Sequence, residues 1–162
     1  MVDMSMKNVK TNAMRILERQ GISYEPLYYD LGDQKFSGAA VAELSGIPAE
    51  QSFKTLTARS GRQGIIVFVI PVNAELDLKL AAQAAGEKKI EMVAVKELLG
   101  LTGYIRGEVS PVGMKKLYPT FIDITASNQA LIAVSAGKKG ASMILAPQAL
   151  ATLLQARFVG LI

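Results

Sequence analysis

The chain has 162 residues, half of them apolar and a fifth charged, one domain's worth of sequence with enough apolar side chain to bury a core. A net charge of +4 comes with no cysteine and no histidine, which excludes a disulfide framework, a thiolate metal site, a histidine general base and any Ser-His-Asp triad. The longest apolar run, GIIVFVIPV at 64–72, is far short of the ~20 residues that a membrane helix needs. The first residues, MVDMSMKNVK, carry an early Asp and no apolar core, unlike a secretory signal, so a cytoplasmic protein is expected.

In chain order, NVKTNAMRILERQ (8–20) spaces Val9, Ala13, Ile16 and Leu17 for one helical face, and Gly21 supplies a stop. ISYEPLYYD (22–30) reads as extended, because Pro26 confines its neighbour to the β or polyproline region. Ser37 is a plausible N-cap for a short helix, GAAVAEL (38–44), closed by Gly46 and Pro48. SFKTLTAR (52–59) and GIIVFVIPV are two strands around the turn residues of 60–64.

LDLKLAAQAAG (76–86) is an Ala-rich helix, with Asn73 or Asp77 available to cap it and Gly86 to end it. KIEMV (89–93) is a strand and AVKELLG (94–100) a short helix stopped by Gly100. TFIDI, ALIAVS and ASMILA are three short strands separated by turn residues, APQALATLLQA is a helix with Pro147 in its first turn, and RFVGLI is a last strand. The later strands are joined by turns too short for parallel crossovers. The expected fold is therefore one α/β domain of α+β character over residues 1–162, a mixed, mostly antiparallel, barrel-like sheet surrounded by helices.

Without histidine, chemistry falls to carboxylates, Lys, Tyr, hydroxyls, backbone dipoles or the substrate itself. No D-x-D or E-x-x-E cluster suggests a carboxylate metal site, and neither metal nor cofactor is expected. Alternation in SFKTLTA puts Lys54, Leu56 and Ala58 on one face and Phe53, Thr55 and Thr57 on the other. An unpaired ammonium cannot simply be buried, so Lys54 either snorkels at a sheet edge or projects into a polar cleft.

Between Gly103 and Gly113 runs GYIRGEVSPVG, in which Gly107 to Pro111 form G-x-x-x-P. This is either turn punctuation or a rigid loop whose free N–H groups form an anion nest. It is neither the GxxxxGK[ST] phosphate loop nor a GxGxxG fingerprint. Lysine doublets at Lys88-Lys89, Lys115-Lys116 and Lys138-Lys139 lie near glycines; they either decorate solvated turns or converge on a surface for phosphates.

The order and spacing of SFKTLT, VIPVNAELDLKLAAQAAGEKKIEM, TGYIRGEVSPVGMKK, PTFIDI and VSAGKKG resemble the YbaK-type family of Cys-tRNA(Pro) deacylases. These are relatives of the editing domain inserted in bacterial prolyl-tRNA synthetases. The resemblance runs from about Ala13 to the C-terminus and is densest from Lys54 to Gly140. It implies a free-standing hydrolase that clears a wrong amino acid from the acceptor end of tRNA, with a prolyl-tRNA synthetase as an optional partner. Double-sieve editing exists because a methylene is worth only ~1–3 kcal/mol in a synthetase pocket.

The family's essential lysine falls on Lys54, its G-x-x-x-P loop on Gly107 to Pro111 with Ser110 inside, a pocket aromatic on Tyr29, and its VSGGK-like turn on Ser135, Gly137 and Lys138. The resemblance further implies that Gly107 and its neighbours donate N–H groups to the aminoacyl ester and that Lys54 anchors the terminal adenosine phosphate. Gly103 belongs to the same substrate loop, and Tyr29 and Tyr104 pack on adenine or the amino acid unless they are core aromatics. Lys115, Lys116, Lys138 and Lys139 would meet tRNA. Ser142 stands where relatives often carry an acidic residue, which leaves alanine or another small residue as an alternative substrate. A non-catalytic module that binds tRNA or a synthetase is the alternative outside enzymes.

Overall fold

The computed structural model describes residues 9–30 and 43–162. The expected Ser37 cap and residues 38–42 of the helix read there lie outside the described residues. The first helix, α1 (Asn12–Arg19), starts later than the apolar spacing suggests, because Thr11 caps it and its hydroxyl accepts the Met14 N–H at 3.3 Å. Val9 is thereby left outside the helix, 47% exposed. A short extended segment, β1 (Glu25–Tyr28), follows.

The hairpin β2 (Phe53–Ser60) and β3 (Gly64–Pro71) pairs antiparallel along its whole length, from Phe53 opposite Pro71 to Ser60 opposite Gly64. Asp77, not Asn73, caps α2 (Leu78–Ala85): one carboxylate oxygen accepts the N–H groups of Lys79 at 2.9 Å and Leu80 at 3.1 Å. After β4 (Ile90–Met92) and a 3₁₀ turn, α3 (Leu98–Thr102) runs through Gly100, the expected stop, and ends at Gly103 with φ +87°. Glycine inside a helix costs only ~1 kcal/mol, whereas the left-handed cap three residues on favours it strongly.

The remaining elements are β5 (Thr120–Asp123), a 3₁₀ turn at Ile124–Asn128, β6 (Ile132–Lys138), β7 (Ala141–Leu145), α4 (Pro147–Leu154) and β8 (Arg157–Val159). They build two sheets, one of order β4-β2-β3-β5-β8 and one of order β1-β7-β6. Four of the six strand pairings among the described residues are antiparallel, but β3–β5 and β5–β8 are parallel. The fold is thus mixed and mostly antiparallel as expected. The parallel strands arise because long excursions, through β4 and α3 and later through β6, β7 and α4, separate β3, β5 and β8 in sequence. Among the described residues the sheets do not close into a barrel and are joined by one isolated bridge, Ser52 to Ala133.

Two apolar clusters hold the layers. On one face of the five-stranded sheet, Ala81, Ala82 and Ala85 of α2 pack on Ala58, Ile66, Phe68, Ile70 and Phe121, with Phe68 and Phe121 stacked at 5.8 Å between ring centres. On the other, Phe53, Val69 and Ile122 meet α1, α4 and the inner side of β6 and β7. Strand β3 lies between both clusters, which is why its sequence is apolar without alternation. Asp123 is fully buried, its carboxylate accepting from the Leu161 N–H at 2.8 Å and from the Thr125 N–H and hydroxyl at 3.1 and 2.6 Å. Among the described residues no helix is long and apolar enough to cross a membrane.

Candidate functional site

Where β2 approaches β6 and β7, a cavity of about 350 Å³ opens, of the size that holds a small ligand. Beyond Ala58–Ser60, where β4 pairs, β2 has β3 on one side only among the described residues, so Lys54, Thr55 and Leu56 lie on an edge along the cavity. Lys54 is therefore at once an edge residue and a lining residue, partly buried, and it forms no ion pair among the described residues. Arg106 and Lys138 also line the cavity and are exposed, and among the described residues no acidic one lines it. Three cations without a counter-charge make this an anion-attracting concavity.

The G-x-x-x-P segment forms another wall. Gly107 has φ +86°, a conformation that favours glycine. The N–H groups of Arg106, Gly107 and Val109, all lining residues, make no hydrogen bond among the described residues. Behind them the loop is fastened to the β6–β7 turn. The Ser135 hydroxyl donates to the Glu108 carbonyl at 3.3 Å and accepts the Gly137 N–H at 3.1 Å, and the Glu108 carboxylate accepts the Lys139 N–H at 3.0 Å. A bulge between Ser135 and Lys138 brings that turn within reach.

On the opposite wall the hydroxyls of Tyr29 and Ser142 lie 3.1 Å apart. Ser142 is 5% exposed. Burial pushes the Tyr29 hydroxyl above its ordinary pKa, with the Ser142 hydrogen bond partly offsetting this. Gly140 makes the close approach possible, since a Cβ there would lie 2.5 Å from the Tyr29 carbonyl oxygen, which leaves no room for a side chain.

The fold thus brings together Lys54, Gly107, Tyr29, Ser135 and Lys138 around one cavity. It keeps others apart from it. Gly103 is a helix cap beside the Lys115 stem. Tyr104 does not line the cavity: its hydroxyl donates to the Val112 carbonyl at 2.5 Å, and its ring lies against Gly113 and Gly137, behind the loop. Ser110 is buried and accepts the Val112 N–H at 3.2 Å, while Pro111 faces a second cavity of about 210 Å³ on the far side of the loop.

The lysine doublets do not converge on the first cavity. Lys116 borders the second cavity, which shares no residue with the first, and Lys115 donates to the Gly100 carbonyl at 3.2 Å. Lys89 sits 3.0 Å from the Glu91 carboxylate. Lys139 contributes its backbone to the loop fastening, and Gly137 carries the turn. Sequence reading passed over Arg106, Glu108, Thr55 and Thr57. The strand alternation already held a signal for the last two, because it puts two hydroxyls on the face shared with Phe53, a core residue.

Comparison with known proteins completes the picture. Residues 34–153 match the model of the aminoacyl-tRNA editing domain. An Enterococcus faecalis protein named as a candidate Cys-tRNA(Pro)/Cys-tRNA(Cys) deacylase, EbsC, is 44% identical over 149 residues, 92% of this chain and 91% of that protein. Two solved structures share the fold. One is a candidate trans-editing enzyme for prolyl tRNA synthetase, with TM-score 0.79 and 23% identity over 95% of this chain and 98% of that one. The other is the hypothetical protein APE2540, with TM-score 0.82 and 21% identity over 91% and 96%. At such identities the solved structures speak for the fold, while the family model and the E. faecalis relative speak for kinship: the chain belongs to the aminoacyl-tRNA editing domain family.

Proposed function

We propose that this protein is a free-standing hydrolase of the cytoplasm that removes the amino acid from mischarged tRNA, with Cys-tRNA(Pro) as its main substrate. The observation that carries this reading is the cavity whose lining, among the described residues, has three cations, no acid and a wall of unengaged loop N–H groups, in a chain 44% identical to a protein named for that substrate. The whole chain acts as one editing unit on the acceptor end of tRNA, and a prolyl-tRNA synthetase is the partner that would deliver it.

In this reading Lys54, with Arg106 and Lys138 nearer the mouth, holds the terminal adenosine phosphate, and Tyr29 packs beside it. The N–H of Gly107 and its neighbours meet the ester carbonyl. One such donor is worth roughly 2.7–4 kcal/mol once charge develops on that oxygen. The substrate assists its own cleavage: a water held by the ribose hydroxyl beside the ester bonds through its oxygen to the carbonyl carbon, the bond to the ribose ester oxygen breaks, and that oxygen takes the water's proton as the free amino acid leaves. The protein's work is to position and to stabilise charge, which suits a chain without histidine.

The test is to incubate purified protein with tRNA(Pro) charged with cysteine, alanine or proline. Fast loss of cysteine with proline retained is expected. Spontaneous rates on all three would overturn the proposal, and loss of alanine faster than cysteine would move the substrate to the small residue that Ser142 leaves open.

A further inference from the structure

On β2 the side chains of Phe53, Thr55 and Thr57 share one face. Phe53 is part of the core beneath the cavity, and all three residues line the cavity. The hydroxyl oxygens of both threonines are buried and have no hydrogen-bond partner among the described residues, and Thr57 as a whole is only 4% exposed. Native interiors rarely leave a hydroxyl unpaired, and each exception needs a reason.

Among the described residues the surroundings give the hydroxyls no partner. The Thr57 carbonyl accepts the Val93 N–H at 3.1 Å, and the N–H of Val67, opposite Thr57 on β3, goes to the Pro119 carbonyl at 2.9 Å. The lining side chains near this end of β2 and along the loop, Val93, Leu98 and Val109, are apolar. Within the cavity the missing partner is therefore a group carried in by the ligand.

The cavity also has a direction. Its exposed cations, Arg106 and Lys138, stand toward solvent, Lys54 is partly buried, and the orphan hydroxyls are buried. A ligand with one anionic end seats that end among the cations and carries its other end to the threonines. For an aminoacyl-tRNA, the end that arrives there is the amino-acid side chain.

We propose that Thr57, seconded by Thr55, is a specificity-determining residue that reads a small neutral side chain bearing S–H or O–H on the aminoacyl group. This rests on the deacylase reading above and deepens it. A thiol or hydroxyl supplies the missing hydrogen bond; a methyl leaves the pocket's hydroxyl unpaired, and a site built to bond a heteroatom rejects the analogue that lacks it. A cationic side chain is excluded by the cost of desolvating it in a cavity whose charged lining residues, among those described, are themselves cations.

The experiment compares wild type, Thr57→Val and Thr57→Ser on tRNA(Pro) charged with cysteine, serine or alanine, reading kcat/KM and the thermal midpoint. Valine keeps the shape and removes the hydroxyl, so the midpoint holds or rises. The preference for cysteine and serine over alanine drops about tenfold, and Thr57→Ser retains it. A cysteine-to-alanine ratio within twofold of wild type in Thr57→Val overturns the inference. If the valine variant does not fold, Thr57→Ala is read by the same ratio. Should wild type act on none of the three substrates, the deacylase reading fails and this inference with it; an active wild type with an unmoved ratio defeats this inference alone.

Discussion

The ring of Tyr104 occupies the space that a side chain on Gly137 would take: a Cβ built there would lie 2.6 Å from the Tyr104 Cε1 atom. Gly137 sits in the bulge at the end of β6, beside the β6–β7 turn, at φ +91°, and Tyr104 lies in the segment between α3 and the G-x-x-x-P loop. The two residues therefore set how closely loop and turn approach. Gly137→Ala should destabilise the protein by about 1–3 kcal/mol, from the left-handed backbone and the displaced ring, and slow deacylation as Gly107 shifts. Tyr104→Phe keeps the ring and removes the hydroxyl that bonds the Val112 carbonyl and Ser110, and should cost about 0.5–1.5 kcal/mol. Denaturant melts of both variants check the order; equal effects would mean that the close approach is unimportant.

The Tyr29–Ser142 pair lends itself to a double-mutant cycle. Ser142→Ala leaves the buried Tyr29 hydroxyl without its partner and should cost about 1–3 kcal/mol, while Tyr29→Phe with Ser142→Ala together should cost clearly less than the two single changes summed. Strict additivity in urea unfolding would show that the two hydroxyls do not bond.

Burial raises the pKa of Tyr29 and of Tyr104, and burial with the Glu18 hydrogen bond pushes Tyr24 up to about 12. Below the ordinary tyrosine value of about 10, folded and unfolded chains both keep these protons, and the stability linked to them is fully present. As pH rises above it, the unfolded chain loses its phenolic protons first, so stability falls progressively through the higher folded values. The thermal midpoint should decline above pH 10, and less steeply in Tyr29→Phe. An equal slope in that variant contradicts the burial assigned to Tyr29.

Only one lysine of the later doublets touches the first cavity with its side chain. Lys138→Ala should weaken tRNA binding and lower the log–log salt slope by about 0.7–0.9, one phosphate contact. Lys115→Ala, whose ammonium is engaged with the Gly100 carbonyl, should leave the slope unchanged. Fluorescence titrations at several salt concentrations separate the two; a larger effect at Lys115 would move the tRNA to the other face of the loop.

Much of this architecture is legible where local rules act. Alternation in SFKTLTAR, the unbroken apolar run of β3, Asp77 before an Ala-rich helix and Pro147 at the start of another each led to the observed element. Partners distant in sequence are not written locally. The parallel pairing of Phe121 with Phe68 and with Arg157 depends on excursions that no turn rule reports. The same limit governs the site. Lys54 and Gly107 were visible as residue types in the order and spacing of a family, and the fold brings them to one cavity. Tyr104 and Ser110 stand beside Gly107 in sequence, yet the loop turns them away from the cavity and into its own support. Alternation puts Thr57 on the face of Phe53, but that its hydroxyl is unpaired emerges only once its neighbours are placed.

Lys54 is the partly buried cation that lines the cavity without an ion-pair partner among the described residues. The most direct test is kcat/KM for deacylation of Cys-tRNA(Pro) by Lys54→Ala against wild type, with the thermal midpoint recorded alongside. The expected result is a loss on the order of 10²-fold or more with the midpoint held. A Lys54→Ala protein that folds and deacylates within twofold of wild type would contradict it.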